Sequence, residues 1–453
     1  MKQQIISVIG LGFVGLPTAC TLANCKDKKT KNIFKVNGID KNFNKIKNKI
    51  LNLNSRSETI YEDKKLNRIL KNLISKNKIN FSDQIQEVSK SDIIIISINF
   101  DFNNKNISKK FNELKYFFKK LGRSIKKSCL ILIETTLPPG TCDNVIIPVL
   151  KETLKKRKMK IEDIYLSYSY ERIMPGKDYM DSLVNNYRCY AGMNKVSGIK
   201  CRNFLKKYIN YKKFPIYEFD NLLDCEAAKV LENSYRAVNI AFIDEWTKFS
   251  LKSKLNLNKI IDAIKYRPTH NNIMRPGLGV GGYCLTKDPN FINFSGKYFF
   301  KKKFNFPITD ISMKINRNMI FSSIQFIKDK IKNFKKKKIL LLGAAYKDDV
   351  SDTRNSPSIL LSSFLKKNNI NFFLHDPITN TKDNKKYSIS NKLPNFRKFD
   401  VVLLCVKHSY YKNMNIKKFS KKPKYFDLNR VLSKTQINHM IKNKFKLEFL
   451  GGR

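Results

Sequence analysis

Gly10-Leu11-Gly12-Phe13-Val14-Gly15 follows the apolar run Ile5–Ile9 directly and opens the segment Leu16–Ala23, which contains no further glycine. That placement predicts a strand, a tight turn and a helix. The first glycine allows the turn, the second lets a pyrophosphate approach the backbone, and the third permits close packing of helix on strand. The helix start then offers N–H groups and the positive end of its dipole to the phosphates. Gly10, Gly12, Phe13, Val14 and Gly15 are therefore candidate cofactor contacts, although a glycine-rich turn without a ligand has the same pattern. A second apolar run, Phe34–Asp40, ends in a carboxylate about 25 residues beyond Gly15, where an acid can hold a ribose 2′-hydroxyl. An acid there repels a 2′-phosphate, so Asp40 favours NAD over NADP, with the adjacent Lys41 working slightly against it.

Outward from this turn, Asp92–Ile98 and Cys129–Glu134 repeat the same kind of Ile/Val/Leu-rich run. Runs without polar alternation suit strands covered on both faces, and the helical stretches between them make βαβ units. From Asp224 to Lys254 the pattern becomes one long segment without proline or glycine. Its apolar residues fall on more than one face, which implies burial from several sides. After Lys335-Lys336-Lys337-Lys338 the α/β rhythm returns in Ile339–Leu342, Asn371–His375 and Asp400–Val406. The expected architecture is α/β: two Rossmann-like parallel-sheet domains joined by a long central helix and a small helical domain. The expected boundaries are 1–205, 206–320 and 321–453.

The chain has 453 residues, too many for one core, and 89 Lys+Arg against 37 Asp+Glu give a formal net charge of +52. A charge that large admits a nucleic-acid or polyanion binder. The lysines are spread along the whole chain, however, and short runs such as Lys301-Lys302-Lys303 read as solvated loops. Nine cysteines without a C-x-x-C pair argue against a disulfide framework or a zinc site and for a reducing compartment. Met1-Lys2, the apolar run and Ala19-Cys20 imitate a secretory signal, but the glycine spacing explains that run better. No stretch reaches the roughly 20 apolar residues of a membrane span. The expectation is a cytoplasmic protein without metal, nucleic-acid or membrane partners.

The densest chemistry lies in Arg275-Pro276-Gly277-Leu278-Gly279-Val280-Gly281-Gly282-Tyr283-Cys284-Leu285-Thr286-Lys287-Asp288-Pro289. Its glycines form a loop able to wrap a ligand. Cys284 is either a small buried hydrophobe, the usual fate of a free thiol, or a nucleophile activated by nearby positive charge. The glycine-rich setting argues for the second. Asp288, four residues on, can activate water to release an acyl enzyme. On the long helix Lys229 and Asn233 share one face at i, i+4, where they either serve a site or reach a solvent edge.

Taken together these motifs resemble the nucleotide-sugar 6-dehydrogenases, the UDP-glucose/GDP-mannose dehydrogenase family, over nearly the whole chain. The resemblance runs through the Gly10–Gly15 turn, Glu134-Thr135-Thr136-Leu137-Pro138-Pro139-Gly140 and Glu171-Arg172-Ile173-Met174-Pro175-Gly176. It continues in Lys229-x-x-x-Asn233, Gly281-Gly282-Tyr283-Cys284, Leu342-Gly343-Ala344-Ala345-Tyr346-Lys347 and Asp352-Thr353-Arg354-Asn355-Ser356-Pro357. It implies two hydride transfers from the sugar's primary alcohol to NAD, with Cys284 carrying a thiohemiacetal and then a thioester. It further implies that Lys229 stabilises the oxyanion with help from Asn233, and that Asp288 acts as base or water-positioner. Thr136 and Glu171 would support the water and the substrate, and Thr136 and Lys287 the cofactor. Lys347, Gly281 and Arg354 would contact the nucleotide sugar, with Arg354 also toward the cofactor and Arg267 and Arg275 as further diphosphate contacts. A homodimer through the long helix is implied as well.

Two departures stand out. Where the family has V-P-T-P, this chain has Ser97-Ile98-Asn99-Phe100, so the cofactor contact falls to Asn99; Tyr170 replaces the proline before Glu171. The Glu171-Arg172-x-x-Pro175-Gly176 pattern is closer to the UDP-N-acetylhexosamine branch, N-acetylmannosamine or N-acetylglucosamine, than to the UDP-glucose branch. A two-electron hydroxyacid-type dehydrogenase would share the fold and need no cysteine.

Overall fold

In a computed structural model the run after Lys2 forms a strand from Gln4, and the fingerprint turn leads into a helix, Gly15–Ala23. The structure describes residues 3–27, 32–41, 64–101, 106–174, 176, 178–253, 255–302 and 304–452. Met1, Lys2, Pro175, Lys254 and Lys303 of the sequence expectations lie outside them.

The chain divides into two compact units: Met1–Leu231 with Phe291–Phe304, and Glu232–Asn290 with Asn305–Arg453. The first holds strands β1 (Gln4–Ile9), β2 (Phe34–Ile39), β3 (Ile79–Ser82), β4 (Ile93–Ile96), β5 (Leu130–Ile133), β6 (Tyr165–Tyr168), β7 (Arg188–Gly192) and β8 (Ile216–Glu218). They form one sheet in the order β3-β2-β1-β4-β5-β6-β7-β8. Order reverses beside β1, so the crevice at its C-terminal end is the expected ligand position. Every neighbouring pair is parallel except β6 with β7; that antiparallel step departs from the purely parallel sheet expected. The Ile-rich runs behave as their composition requires, with all four residues of β4 and of β5 buried between cores on the two faces. Both are shorter than the sequence runs, because the flanking residues turn into loops.

The second unit repeats the plan. Strands β9 (Ile339–Leu342), β10 (Phe372–His375), β11 (Ile389–Ser390), β12 (Val401–Leu404), β13 (Lys424–Asp427) and β14 (Leu447–Phe449) form an all-parallel sheet. Its order is β11-β10-β9-β12-β13-β14. The helix Leu222–Ser253 matches the proline- and glycine-free segment. Its apolar residues do lie on several faces: Ala237, Ala241 and Ile243 are buried, whereas Tyr235, Phe242, Trp246 and Phe249 remain 43–55% exposed. No helix among the described residues is long and apolar enough to cross a membrane.

Candidate active site

The glycines of the first turn differ in what surrounds them. Gly10 has φ +88°, and a Cβ there would lie 2.7 Å from the Ser97 carbonyl oxygen. A Cβ on Gly15 would lie 1.9 Å from the Gly10 oxygen, whereas one on Gly12 would meet nothing within 4 Å. Two glycines are therefore required by packing and the third leaves open space at the helix start. That space is what a pyrophosphate needs. Asp40 follows β2 directly and accepts a hydrogen bond from the Leu11 amide (2.8 Å) through one carboxylate oxygen. The carboxylate that would hold the ribose is thus fixed to the same turn. The Phe13 carbonyl accepts from the Tyr179 hydroxyl, which ties the turn to the segment after Gly176. Asn99 is exposed beyond β4, and Thr136 is half-buried beyond β5. Open space at Gly12, the helix start and Asp40 together fit NAD, which when bound supplies the hydride acceptor.

A buried ionic group underlies this region. Glu134, at the end of β5, faces Arg188 at 3.3 Å, and both side chains are essentially inaccessible. The Ser97 hydroxyl donates to the other Glu134 oxygen at 3.2 Å. Burial raises the Glu134 carboxyl despite Arg188.

Lys229 belongs to the same unit as Glu171. Its ammonium donates to the Glu171 backbone carbonyl at 3.0 Å and lies 5.3 Å from the centre of the Tyr170 ring. Arg172 stacks on that ring at 5.2 Å and donates to the Tyr170 hydroxyl. The tyrosine that replaces proline is thus a buried cation platform for two basic residues. The Glu171 carboxylate accepts from the Ile173 amide, which folds the loop back on itself.

The second unit holds the cysteine loop. Cys284 is the exposed cysteine of the nine; Cys25 is half-buried and the others are buried, with burial pushing Cys20, Cys129 and Cys405 up to about 12. The loop is strapped to the segment after β9: the Gly282 amide donates to the Arg354 carbonyl (3.0 Å), and Asn355 donates to the Gly282 carbonyl (2.9 Å). A Cβ on Gly281 would lie 2.8 Å from both the Asn355 carbonyl oxygen and the Tyr346 side chain. Those glycines are there because the two segments touch. The Cys284 carbonyl accepts from the Lys287 and Asp288 amides, which makes the turn that brings Asp288 back under the loop.

Asp288 is fully buried. One oxygen accepts from the Asn233 amide at 2.7 Å, and the other pairs with Lys287 at 2.6 Å. Asn233 and Lys287 therefore fix both sides of one carboxylate. Lys287 also lies 4.6 Å from the centre of the Tyr283 ring, with Arg354 at 5.3 Å from the same ring. Arg354 is bound side-on by Asp352, at 2.9 and 3.0 Å from Nε. Burial lowers the Lys347 ammonium and pushes Tyr346 up to about 12. Arg275, expected to reach a diphosphate, is instead engaged by Asp262, while Arg267 is exposed beyond the helix Leu257–Ile264.

Within the first unit the structure brings together Lys229 with Glu171; within the second, Cys284, Asp288, Asn233, Lys287, Gly281 and Arg354. Sequence reasoning missed Glu226, Tyr283, Asp352 and Asn355. Asp352 and Asn355 flank Arg354 in a motif already singled out, so the signal was present. Glu226 was signalled only as a lone acid three residues before Lys229.

Comparison with known proteins extends this geometry. Residues 4–214, 224–318 and 340–434 match, in order, the NAD binding, central and UDP binding domains of the UDP-glucose/GDP-mannose dehydrogenase family. A UDP-N-acetyl-D-mannosamine dehydrogenase of Methanococcus vannielii is 30% identical over 469 residues, covering 99% of this chain and 98% of its own. One of Methanococcus maripaludis is 31% identical, with coverages of 98% and 96%. Among solved structures, the UDP-N-acetyl-mannosamine dehydrogenase Cap5O of Staphylococcus aureus superposes with a TM-score of 0.74 at 26% identity over 95% of each chain. A UDP-D-ManNAc dehydrogenase of Pyrococcus horikoshii shares the fold, with a TM-score of 0.77 at 24% identity and 99% of each chain covered. The chain is an NAD-dependent nucleotide-sugar dehydrogenase and belongs to the UDP-glucose/GDP-mannose dehydrogenase family.

Proposed function

We propose that the chain oxidises the 6-hydroxyl of a UDP-N-acetylhexosamine to a carboxylate, with N-acetylmannosamine preferred to N-acetylglucosamine. The product would be a uronic acid for surface polysaccharide. The observation that carries the mechanism is the exposed Cys284 on a loop strapped by Arg354 and Asn355 over a buried Asp288. The choice of sugar rests on the names of the similar proteins in Methanococcus and Staphylococcus.

With NAD bound as the hydride acceptor, the alcohol carbon would lose a hydride while its hydroxyl loses a proton to a base, which would leave an aldehyde. The Cys284 sulfur would add to that carbon while the thiol proton passes to the carbonyl oxygen; loss of a second hydride at the cofactor site and of that hydroxyl proton to a base would then give a thioester. Water cleaves the C–S bond, the thiol is restored and the carboxylate departs. Lys229, held by Glu171 and Tyr170, meets the charge that develops on oxygen, with Asn233 one turn away on the same helix. Asp288, kept in place by Asn233 and Lys287, positions the water or takes its proton, with Thr136 and Glu171 in support. Gly10, Gly12, Phe13, Val14, Gly15, Asp40, Asn99 and Thr136 hold NAD, with Lys287 and Arg354 as further cofactor contacts. Lys347, Gly281, Arg354, Arg267 and Arg275 serve the nucleotide sugar; Arg275 would first have to leave Asp262.

This reading divides the chain into 1–205 for cofactor, 206–320 for the catalytic loop and a homodimer contact, and 321–453 for the nucleotide sugar. The order of the family domains supports it. The odd cysteine count supports a cytoplasmic setting. A panel of UDP- and GDP-sugars with NAD tests the proposal: UDP-N-acetylmannosamine is turned over with the highest kcat/KM. Preference for UDP-glucose would overturn the sugar assignment, and faster turnover with NADP would overturn the role of Asp40.

A further inference from the structure

We infer that Glu226 is a positioning residue that locks the loop carrying Thr136 onto the helix carrying Lys229. The inference rests on the reading of Thr136 and Lys229 as site residues.

Glu226 is 0% exposed and lies within the first unit. Its Oε2 accepts from the Gly140 amide at 2.6 Å, and its Oε1 from the Cys142 amide at 2.9 Å. The titratable groups that face it are Cys142 and Asp143 on the adjoining helix, Tyr168 on β6 and Cys225 beside it, none of them basic. A buried carboxyl without a cation is expensive, and an apolar side chain would satisfy the helix better. Two acceptor oxygens on one side chain are what a carboxylate offers and a glutamine does not. Both oxygens are used here, on amides two residues apart in one turn.

That turn is built around a left-handed glycine. Gly140 has φ +92°, and the turn follows Pro138-Pro139. The Thr141 hydroxyl donates to the Pro138 carbonyl (2.5 Å), and the Asn144 side chain to the Gly140 carbonyl (2.8 Å). At the other end, the Thr135 hydroxyl donates to the Ile98 carbonyl at 2.9 Å beyond β4. Thr136 therefore hangs between an anchor on β4 and an anchor on Glu226. Lys229 lies one helical turn beyond Glu226 on the same side of the helix. One side chain thus sets the loop and the catalytic lysine in a common frame. Burial pushes the Glu226 carboxyl up to about 8, so its charge, and with it the grip on two amides, rises through the mildly alkaline range.

The test uses the full-length enzyme with saturating NAD and UDP-N-acetylmannosamine. Glu226→Gln keeps the volume but one acceptor, and above the Glu226 inflection, where the wild-type carboxylate is ionised, should lower kcat about tenfold while both KM values stay within about threefold and the melting temperature within a few degrees. The wild-type kcat should rise through an inflection near pH 8 that E226Q lacks. Asn144→Ala loosens the same turn from the exposed side, and should lower kcat about threefold with KM unchanged. An unaltered kcat in E226Q overturns the inference, as does an E226Q that fails to fold together with an N144A of wild-type kcat. Absence of turnover in the wild type on every nucleotide sugar would instead sink the underlying site reading.

Discussion

Asp288 and Lys287 are adjacent in sequence, yet their side chains meet in a pair from which solvent is nearly excluded, with the aspartate side chain fully buried and the lysine side chain 11% exposed. Breaking such a pair from one side leaves a buried charge without compensation. Asp288→Asn should therefore destabilise the protein by about 3 kcal/mol in urea unfolding, beyond any loss of activity. The double variant Asp288→Asn, Lys287→Met should recover most of that stability and none of the activity. Additive losses would show that the pair contributes no interaction. Tyr170 teaches a related lesson. It stands where the family has proline, and its ring carries Lys229 and Arg172. Lys229 stands on a helix far along the chain from Tyr170, and a partner that distant in sequence is decided by packing, which single-sequence periodicity does not contain.

The strand–turn–helix at Gly10–Gly15 makes a prediction of element scale. Gly12→Ala places its methyl in open space, whereas Gly15→Ala drives one into the Gly10 carbonyl at 1.9 Å. G12A should fold with an unaltered melting temperature and raise the KM for NAD about tenfold or more. G15A should lower the melting temperature itself. The reverse order would remove the turn from the cofactor site. Elements of this kind were the most legible part of the sequence. β9 occupies Ile339–Leu342 as read, and the long helix occupies Leu222–Ser253 against an expected Asp224–Lys254. Such runs are defined by continuous burial or by an absence of breakers over many residues, so their pattern survives without tertiary information. β3, β6, β7, β8, β11, β13 and β14 have no counterpart among the apolar runs; Arg188-Cys189-Tyr190 and Ile216-Tyr217-Glu218, for example, mix polar and apolar residues. The candidate site divided in the same way. Cys284, Lys229 and Asp288 stand in recognisable motifs; Glu226 and Tyr283 act through groups distant in sequence or through ring faces.

At the scale of the molecule, Phe242, Trp246 and Phe249 form an edge-to-face aromatic cluster on the long helix that stays exposed in the single chain. Homodimerisation would cover it. Trp246→Glu should raise the dimer dissociation constant at least about tenfold in sedimentation or light scattering, and an unaltered mass at low concentration would place the interface elsewhere. The second α/β unit predicts an acid limit. Burial lowers the His375 imidazole from 6.5 to about 4. Between those values the folded chain binds fewer protons than the unfolded chain. Stability is therefore full above about 6.5 and falls as the pH drops toward 4. His375→Gln should flatten that slope in melting temperature; an unchanged slope would assign it to other groups.

The claim on which the rest depends is that Cys284 carries the sugar covalently between two hydride transfers. Quantifying NADH released per UDP-N-acetylmannosamine consumed, by wild type and by Cys284→Ser, tests it most directly. The account predicts two NADH per sugar for the wild type, and for C284S a stalled reaction that yields no more than one. Two NADH per sugar from C284S at the wild-type rate would contradict it.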